Sequence, residues 1–360
     1  MRIVIVGAGD VGSHIARRLA PERHDVVLVE RDPEVAARAT EELDAQVLLG
    51  NGADPNVLAQ ARIGEAQLLL AVGNEDAANL VACHIARTCG VPTRIARVEE
   101  MGYLSNSLGL DGSTFGADIL INPFLEVARS IAELVETPGA MEATTFFKGQ
   151  AKLVGLRVEP GSPVTGTPLR EVGEALAGEF LFVGLDRAGE LHIPRGDTTF
   201  EAGDLALAVA RAEGVPHLLA ACGKSLGEAR RALVVGGGRV GYHLARLLLE
   251  RGLEVKIFEA DPRRCEMLAD ALPEALTLRA DGTDSAALRA EEVERMDVVV
   301  AVTDHEETNL MSSLLAKQHG APRAICLIKR PAYLPLFPRL GVDAVVSPRL
   351  VTAGVVLKHV

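Results

Sequence analysis

The stretch MRIVIVGAGDVGSHIARRLA at Met1–Ala20 decides the fold, because a related stretch, RALVVGGGRVGYHLARLLL, stands at Arg231–Leu249. The two align without a gap at an offset of 229 residues. In each, a run of apolar residues enters a GxGxxG turn, and a segment with apolar residues at helical spacing follows at once. This order predicts a buried strand, a tight turn and a helix, twice in one chain.

The correspondence continues beyond the two turns. DVVLVERDPE at 25–34 matches EVKIFEADPR at 254–263, and AVGNEDAANL at 71–80 matches AVTDHEETNL at 301–310. Each copy alternates predicted strands and helices, which is typical of a parallel sheet covered by helices on both faces. Between the copies, from about Thr144 to Arg211, the pattern predicts short strands, a hairpin turn at RAG and a short helix in TPLREVGEAL.

We therefore predict an α/β protein with two Rossmann-like, doubly wound parallel-sheet lobes and a small α+β module between them. The predicted boundaries are 1–136 for the first lobe, 140–222 for the small module and 230–360 for the second lobe. The segment 212–231 is expected to be a mostly helical connector.

Composition argues against several classes of function. The formal net charge of −12 disfavours nucleic-acid binding, which requires an excess of cations to neutralise phosphates. No apolar run approaches the ~18 residues that span a bilayer. The five cysteines form no CxxC pair, and the nine histidines show no spacing typical of metal ligands. We expect a reduced, cytoplasmic protein without a metal site.

The glycines of each turn have separate expected roles. In a dinucleotide-binding turn the first glycine permits the tight bend, the second lets the backbone approach a pyrophosphate, and the third lets helix and strand pack closely. The unpaired N–H groups of the following helix then attract phosphate. The alternative is a lobe that has kept the fold and lost the ligand. The glycines concerned are Gly7, Gly9 and Gly12 in the first lobe, and Gly236, Gly238 and Gly241 in the second.

An acidic residue follows each turn at the end of the next predicted strand. Glu30 and Glu259 stand where a carboxylate would accept hydrogen bonds from a ribose diol. A carboxylate there repels a 2′-phosphate, so NAD(H) is favoured over NADP(H), although Arg31 could meet such a phosphate. Asp32 and Asp261 each precede a proline, and we expect them to cap helices rather than to bind ribose.

The two turns differ in charge, since Asp10 of the first lobe is replaced by Arg239 in the second. An arginine beside the phosphates favours additional phosphate charge, so the second lobe is expected to tolerate ADP or ATP better than the first. Further candidates follow the third and fourth strands, where ordinary turn chemistry is an equally good explanation of any single residue. These are Asn51, Gly52, Gly73 and Asn74 in the first lobe, and Asp281, Gly282 and Thr303 in the second. His14 and His243, just past the turns, are expected to be partly exposed helical residues.

These motifs together resemble a known family. IVIVGAGDVG, LVERD, NGADPNVL, AVGNEDAANL and RIARV resemble the N-terminal RCK (or KTN) module, and VVGGGRVG with ADGTDSAAL and AVTDHEETNL resembles a second copy. The segment between them resembles the small C-terminal RCK module. The tandem arrangement is similar to the TrkA family of nucleotide-binding subunits in Trk potassium uptake systems, and the resemblance covers nearly the whole chain.

The resemblance implies several properties. Arg97 would help to bind nucleotide, whereas the second lobe has Leu327 at the matching position, with Lys329 nearby. After the third predicted strand the first lobe reads GNGAD, so Asn51 departs from the Gly-Asp pair that the family usually has there. A second small module is expected after residue 360. The family further implies a homotetrameric ring on the inner face of the cell membrane, bound to a potassium-conducting subunit, with no potassium bound by this chain itself.

Three functions are therefore considered: a nucleotide-responsive regulator of potassium transport, an NAD-dependent oxidoreductase, and a scaffold. We favour the regulator, because the sequence offers no catalytic acid or base near a substrate pocket. NAD(H) is the expected ligand. The expected binding residues are Gly7, Ala8, Gly9, Asp10, Val11, Gly12, Glu30, Asn51, Gly52, Gly73, Asn74, Arg97, Gly236, Gly237, Gly238, Arg239, Val240, Gly241, Glu259, Asp281, Gly282 and Thr303.

Overall fold

The first GxGxxG turn belongs to a six-stranded parallel sheet. The computed structural model describes residues 1–175, 178–224, 227, 229–334 and 336–359. In this sheet the strand order is β3-β2-β1-β4-β5-β6, and the apolar runs of the central strands are buried because helices cover both faces. The strands are β1 (Arg2–Val6), β2 (Asp25–Glu30), β3 (Gln46–Leu49), β4 (Leu68–Ala71), β5 (Thr93–Arg97) and β6 (Ile119–Ile121). The helices are α1 (Asp10–Leu19), α2 (Pro33–Glu42), α3 (Pro55–Gln60), α4 (Asp76–Thr88) and α5 (Pro123–Glu136).

A five-stranded antiparallel sheet follows, in the order β10-β9-β11-β8-β7. The predicted hairpin at RAG is confirmed, with Ala188 and Gly189 both at positive φ as a two-residue turn of this kind requires. The strands are β7 (Ala140–Phe146), β8 (Ala151–Arg157), β9 (Phe180–Arg187), β10 (Glu190–His192) and β11 (Leu205–Ala210); the helices are α6 (Leu169–Ala175) and α7 (Val215–Ala221).

Two sequence predictions in this region need correction. The first strand of the sheet begins at Ala140 rather than near Thr144. Within the described part of the connector 212–231, the helix ends at Ala221, because Gly223, at φ 79°, turns the chain after α7. The short helix expected in TPLREVGEAL is confirmed as α6, while Leu176 at its end, like positions 225, 226 and 228 of the connector, lies outside the described residues.

The second parallel sheet repeats the first, with the order β14-β13-β12-β15-β16-β17. The predicted fold class, two doubly wound parallel-sheet lobes and a small α+β module, is thereby confirmed. The strands are β12 (Arg231–Val235), β13 (Glu254–Glu259), β14 (Leu276–Arg279), β15 (Val298–Ala301), β16 (Ala324–Leu327) and β17 (Ala344–Val346). The helices are α8 (Arg239–Glu250), α9 (Pro262–Ala271), α10 (Ser285–Ala290), α11 (Glu306–Gln318) and α12 (Pro348–Leu357).

The chain divides into two compact units, and the division does not follow the sequence repeat. One unit comprises residues 1–127 together with 347–360, and the other comprises residues 128–346. Within the first unit, α12 packs against α1, and Ala353 and Val356 join the core on that side of the sheet. Over the described part of the chain, no helix combines the length and apolar character needed to cross a bilayer.

Candidate functional site

The first glycine turn is held by close backbone contacts at two of its three glycines. Gly7 has φ +99°, and a Cβ there would lie 2.8 Å from the backbone nitrogen of Gly73. A Cβ on Gly12 would overlap the carbonyl oxygen of Gly7. A Cβ on Gly9, in contrast, would meet no atom of the described chain within 4 Å. The fold therefore requires the outer glycines, while the middle one borders open space that a ligand can enter.

The second turn has the same geometry. Gly236 has φ +103° and packs on Thr303, Gly241 lies against the carbonyl of Gly236, and Gly238 borders open space. Gly9 and Gly238 are also the N-cap residues of α1 and α8, and neither helix start has a side-chain cap. The first backbone N–H groups of both helices are thus available to an anion.

Glu30 anchors the first turn through its carboxylate. Oε2 accepts a hydrogen bond from Ala8 N at 2.7 Å, and Oε1 accepts from Arg31 N at 2.8 Å and Asp32 N at 3.0 Å. A carboxylate can accept about four hydrogen bonds, so Oε2 keeps capacity for one more donor. A ribose hydroxyl is a suitable donor for that position.

Glu259 repeats the arrangement in a more enclosed setting. Its carboxylate accepts from Gly237 N and Asp261 N, each at 2.8 Å, and Arg264 Nη1 lies 3.7 Å from Oε2. Glu259 is only 7% exposed. A Cβ on Gly237 would overlap Leu268, whereas the first lobe has Ala8 at that place and Ala39 at the position that matches Leu268. The two lobes therefore fill the same space with different pairs of side chains.

A cleft of about 210 Å³ opens along the first turn. It lies at the carboxyl ends of the strands, beside the point where strand order reverses, which is where doubly wound sheets bind ligands. Ala8 and Gly12 are buried beneath it, Val11 packs into the core, and Asp10 stands exposed at the first position of α1. Of the residues that the sequence predicted, those lining the cleft are Gly7, Gly9, Glu30, Asn51, Gly52, Gly73 and Asn74.

The residues after the third strand of each lobe form turns. Asn51 Oδ1 accepts from Ala53 N at 2.9 Å, and Asp281 Oδ1 accepts from Thr283 N at 2.8 Å, a bond that lowers the pKa of Asp281. Gly52 and Gly282 lie against Val6 and Val235, which a Cβ would overlap. Packing and turn chemistry account for these glycines, and the Asn51 side chain remains at the wall of the cleft.

Sequence reasoning missed two asparagines that tie neighbouring strands together. Asn79 is 1% exposed; its side chain accepts from Gly73 N and donates to the carbonyls of Gly73 and Arg97. Asn309 makes the corresponding bonds to Thr303 and to the Leu327 carbonyl. Their identical places in AANL and ETNL were the available signal. They tie the loop after the fourth strand of each sheet to the end of the fifth strand.

Arg97 lies beside the cleft rather than in its lining. Its Nη1 donates to the Gly73 carbonyl at 3.0 Å and to Asn74 Oδ1 at 2.9 Å, and its Nη2 pairs with Glu99. In the second lobe Leu327 is buried at the matching position, and Lys329 Nζ lies 3.6 Å from Asp304. The two lobes thus differ in charge at this edge of the site.

A residue near the other end of the chain reaches the first turn. Arg349 of α12 lies with Nη1 3.8 Å from Asp10 Oδ1, and its side chain is 23% exposed. Its Nε is buried without a hydrogen-bond partner within the described chain. Burial, and then the charge of Arg349, lower the pKa of the nearby His14. No sequence signal connects Arg349 with the turn, because 339 positions separate it from Asp10.

Two further sequence expectations can be assessed here. Asp32 and Asp261 are helix N-caps that accept from two backbone N–H groups each, as predicted. His243 is buried at 5% exposure, so the expectation of partial exposure was wrong for it, whereas His14 is partly exposed. Burial, and then the charges of Arg246 in α8 and Arg129 in α5, lower the pKa of His243. Arg239 and Val240 open α8 at the second turn.

Among the described residues, no cluster of three His, Cys, Asp or Glu side chains is placed to hold a metal ion. The five cysteines are free thiols. Burial raises the pKa of Cys83, Cys222 and Cys326 to about 12, so these three are unreactive at neutral pH. The chemistry that the site offers is therefore backbone N–H groups for phosphate and carboxylates for hydroxyl groups.

Comparison with known proteins places the chain in a family. The TrkA-N domain matches residues 3–123 and 232–348, and the TrkA-C domain matches residues 153–223. Trk system potassium uptake protein trkA homolog 1 of Methanosarcina mazei is 38% identical over 99% of this chain and 89% of that protein. The TrkA protein of Azorhizobium caulinodans is 33% identical over 100% of this chain and 80% of that protein.

Solved structures share the fold at lower identity. The GsuK RCK domain aligns with a TM-score of 0.69 and 21% identity over 99% of this chain and 75% of that chain. The GsuK channel bound to NAD aligns with a TM-score of 0.71 and 20% identity over 99% of this chain and 62% of the channel chain. The chain therefore belongs to the TrkA family of Trk system potassium uptake proteins and has the fold of RCK domains.

Proposed function

We propose that this chain is a nucleotide-binding regulatory subunit of a membrane potassium transporter and that its first lobe binds NAD(H). The observation that carries the proposal is the open space at Gly9, which adjoins the uncapped start of α1 and a Glu30 carboxylate with one acceptor position left. A dinucleotide presents a pyrophosphate and a ribose diol at this spacing. The relatives named for Trk potassium uptake support the assignment to transport.

In the proposed complex each part of the site has one task. The N–H groups that follow Gly9 bind the pyrophosphate, and Glu30 accepts a hydrogen bond from a ribose hydroxyl. The residues that line the adenosine end are Asn51, Gly52, Gly73 and Asn74. When bound, NAD(H) supplies the redox state of its nicotinamide as the signal. For the second lobe we propose ADP or ATP beside Arg239, because a guanidinium at the turn favours additional phosphate charge.

The response to ligand is proposed to be a shift between conformations. A nucleotide shifts such an equilibrium only by the difference in its affinity for the two states. Arg349 near Asp10 links the phosphate end of the first site to α12, which follows β17 of the second sheet with only Ser347 between them. We propose the modules 1–136, 140–222 and 230–360, a homotetrameric ring on the cytoplasmic face of the membrane, and a potassium-conducting partner subunit, with potassium not bound by this chain.

The proposed role is regulation rather than catalysis. The charged side chains that line the cleft already have partners in the fold: Glu30 accepts from three backbone N–H groups, Asp32 caps α2, and Arg31 pairs with Glu75. Oxidation of NADH by the full chain with a panel of oxo acids and ketones should stay at background. Turnover above background would favour the alternative, an NAD-dependent oxidoreductase.

Gly9→Ala tests nucleotide binding with little disturbance of the fold. Gly9 has φ −66° and ψ −168°, which alanine adopts without strain, so the free energy of unfolding should stay unchanged or rise by ~0.4–1 kcal/mol. The methyl group fills the space proposed for pyrophosphate, so NADH affinity should fall at least tenfold. NADH fluorescence titration suits the measurement because the chain has no Trp.

The matched control is Gly102→Ala, which also meets no atom within 4 Å and is not part of the cleft. It should leave NADH affinity unchanged. With the membrane subunit of a Trk system in proteoliposomes, Gly9→Ala should also remove the dependence of potassium flux on NADH. Equal NADH affinity in the wild-type and Gly9→Ala chains would refute the proposed site.

A further inference from the structure

An ion pair spans the mouth of the first-lobe cleft. Arg31 follows β2, and Glu75 is the N-cap residue of α4 after β4. Arg31 Nη1 lies 2.6 Å from Glu75 Oε1, and both residues line the cleft. Since β1 stands between β2 and β4 in the sheet, the pair crosses above the strand that leads into the glycine turn.

The charges around Arg31 favour this one partner. The hydrogen bond that Arg31 donates to Glu75, and then the charge of Glu75, raise the pKa of Arg31, and the carboxylates of Glu30 and Asp32 add to the effect. Arg31 is thus a single guanidinium among three carboxylates. A phosphate group brought to this end of the cleft would have to displace Glu75 from Arg31 and would also approach Glu30.

An arginine after the ribose-binding acid is the usual partner of a 2′-phosphate, whereas the acid itself binds a free 2′-hydroxyl. We propose that Glu75 is a specificity-determining residue, which holds Arg31 across the cleft so that the first lobe accepts nucleotides with a free 2′-hydroxyl and rejects their 2′-phosphates. This inference rests on the proposed nucleotide site. It explains how the lobe keeps Arg31 without becoming a site for phosphorylated ribose.

The second lobe lacks the pair. Ala260 stands in place of Arg31, and His305 stands in place of Glu75, at the N-cap of α11. Arg264, from α9, lies 3.7 Å from the Glu259 carboxylate there. The proposed selection against 2′-phosphates is therefore confined to the first lobe.

The test compares ADP-ribose with 2′-phospho-ADP-ribose, by calorimetric titration of the full chain. Every variant carries Gly238→Asp, which places a carboxylate in the open space of the second turn and confines binding to the first lobe. In this background the chain with Glu75 should prefer ADP-ribose. Glu75→Gln should reduce the ratio of the affinity for ADP-ribose to the affinity for 2′-phospho-ADP-ribose about tenfold, mainly by strengthening the binding of 2′-phospho-ADP-ribose.

The double variant Glu75→Gln with Arg31→Gln should restore the original preference, because no guanidinium is left to meet the phosphate. The matched control Glu42→Gln breaks another exposed pair, Arg17–Glu42 at 3.0 Å, and should leave the preference unchanged. The inference is overturned if Glu75→Gln alters both affinities equally, or if the double variant keeps the narrowed preference. If the background chain binds neither compound, the proposed function fails; if it binds both equally, only this inference fails.

Discussion

Asp204 shows how one buried carboxylate is kept ionised. It is 4% exposed and accepts from Arg187 Nε at 3.0 Å, from Arg187 Nη2 at 2.7 Å and from Glu201 N at 2.8 Å. Burial alone would raise the pKa of Asp204, but these donors and the charge of Arg187 hold it below its usual value. The carboxylate fixes the turn before β11 in the small module.

The lowered pKa of Asp204 sets the sign of the pH dependence of stability. When the pKa of a carboxyl group is lower in the folded state than in the unfolded chain, its ionised form stabilises the fold. This contribution is complete at pH values above the unfolded pKa of ~3.9 and is lost as pH falls through the lower folded pKa. Asp204→Asn should therefore cost ~1–3 kcal/mol at pH 7 and less at pH 3. Urea unfolding followed by circular dichroism at both pH values checks this. Asp44→Asn, at an exposed position, serves as control, and a cost for Asp204→Asn that is equal at both pH values would contradict the prediction.

Arg323 acts at the scale of elements, because it joins a helix end, a strand and the second parallel sheet. Its Nη1 donates to the Leu134 carbonyl at 2.6 Å, in the last turn of α5, and its Nη2 donates to the Ala140 carbonyl at 2.7 Å, at the start of β7. The carbonyls at a helix end have no partner within the helix. Burial lowers the pKa of Arg323 to about 10, so it remains charged at pH 7.

Replacing Arg323 should show how strongly the end of α5 and the start of β7 depend on its guanidinium. Arg323→Met removes the guanidinium hydrogen bonds to two buried carbonyls, of which that of Leu134 keeps the N–H of Thr137 at 3.1 Å, and we expect a loss of ~1–3 kcal/mol in the free energy of unfolding. Arg323→Lys, which can reach one carbonyl, should lose less. Chemical denaturation measures both, and amide exchange should quicken between residues 135 and 140. Arg295→Met, in an exposed pair, is the control, and equal stability of the Met and Lys variants would contradict the capping role.

At the scale of the whole molecule, the two lobes share one fold and differ in the side chains around the glycine turn. Both sheets have the same strand order, and both turns have the same glycine contacts. The differences lie in single side chains: Asp10 against Arg239, Arg31 against Ala260, and Arg97 against Leu327. The helix that follows the second sheet packs on α1 within the first unit, so the end of the first cleft proposed for phosphate contacts a segment from the far end of the chain.

This arrangement predicts that ligand in the first lobe is sensed by α12. NADH should slow amide exchange in both α1 and α12, because added phosphate charge attracts Arg349. Arg349→Gln should keep NADH affinity within about threefold, since backbone N–H groups provide most of the phosphate contacts. It should lose the protection of α12 while keeping that of α1. Amide exchange measured by mass spectrometry tests this prediction, with Arg17→Gln as the control. Undiminished protection of α12 by NADH in the Arg349→Gln chain would contradict the role of Arg349.

Short-range patterns predicted most of the fold. The two GxGxxG turns, the 229-residue offset and the strand–helix alternation predicted both parallel sheets, and the Asp-Pro pairs predicted the starts of α2 and α9. The same patterns brought seven of the proposed first-lobe residues to one cleft. They were less accurate for the start of β7, which pairing with β8 decides, and for the end of α7, where Gly223 turns the chain.

The sequence by itself determined where the backbone must bend and which residues follow each strand, because steric limits at glycine and proline and the spacing of apolar residues act over a few positions. Only the tertiary structure decided that Arg31 meets Glu75, that Arg349 reaches Asp10, that Arg323 caps α5 and that His243 is buried. Those contacts depend on how helices and sheets pack, and packing joins residues whose separation along the chain no local pattern records.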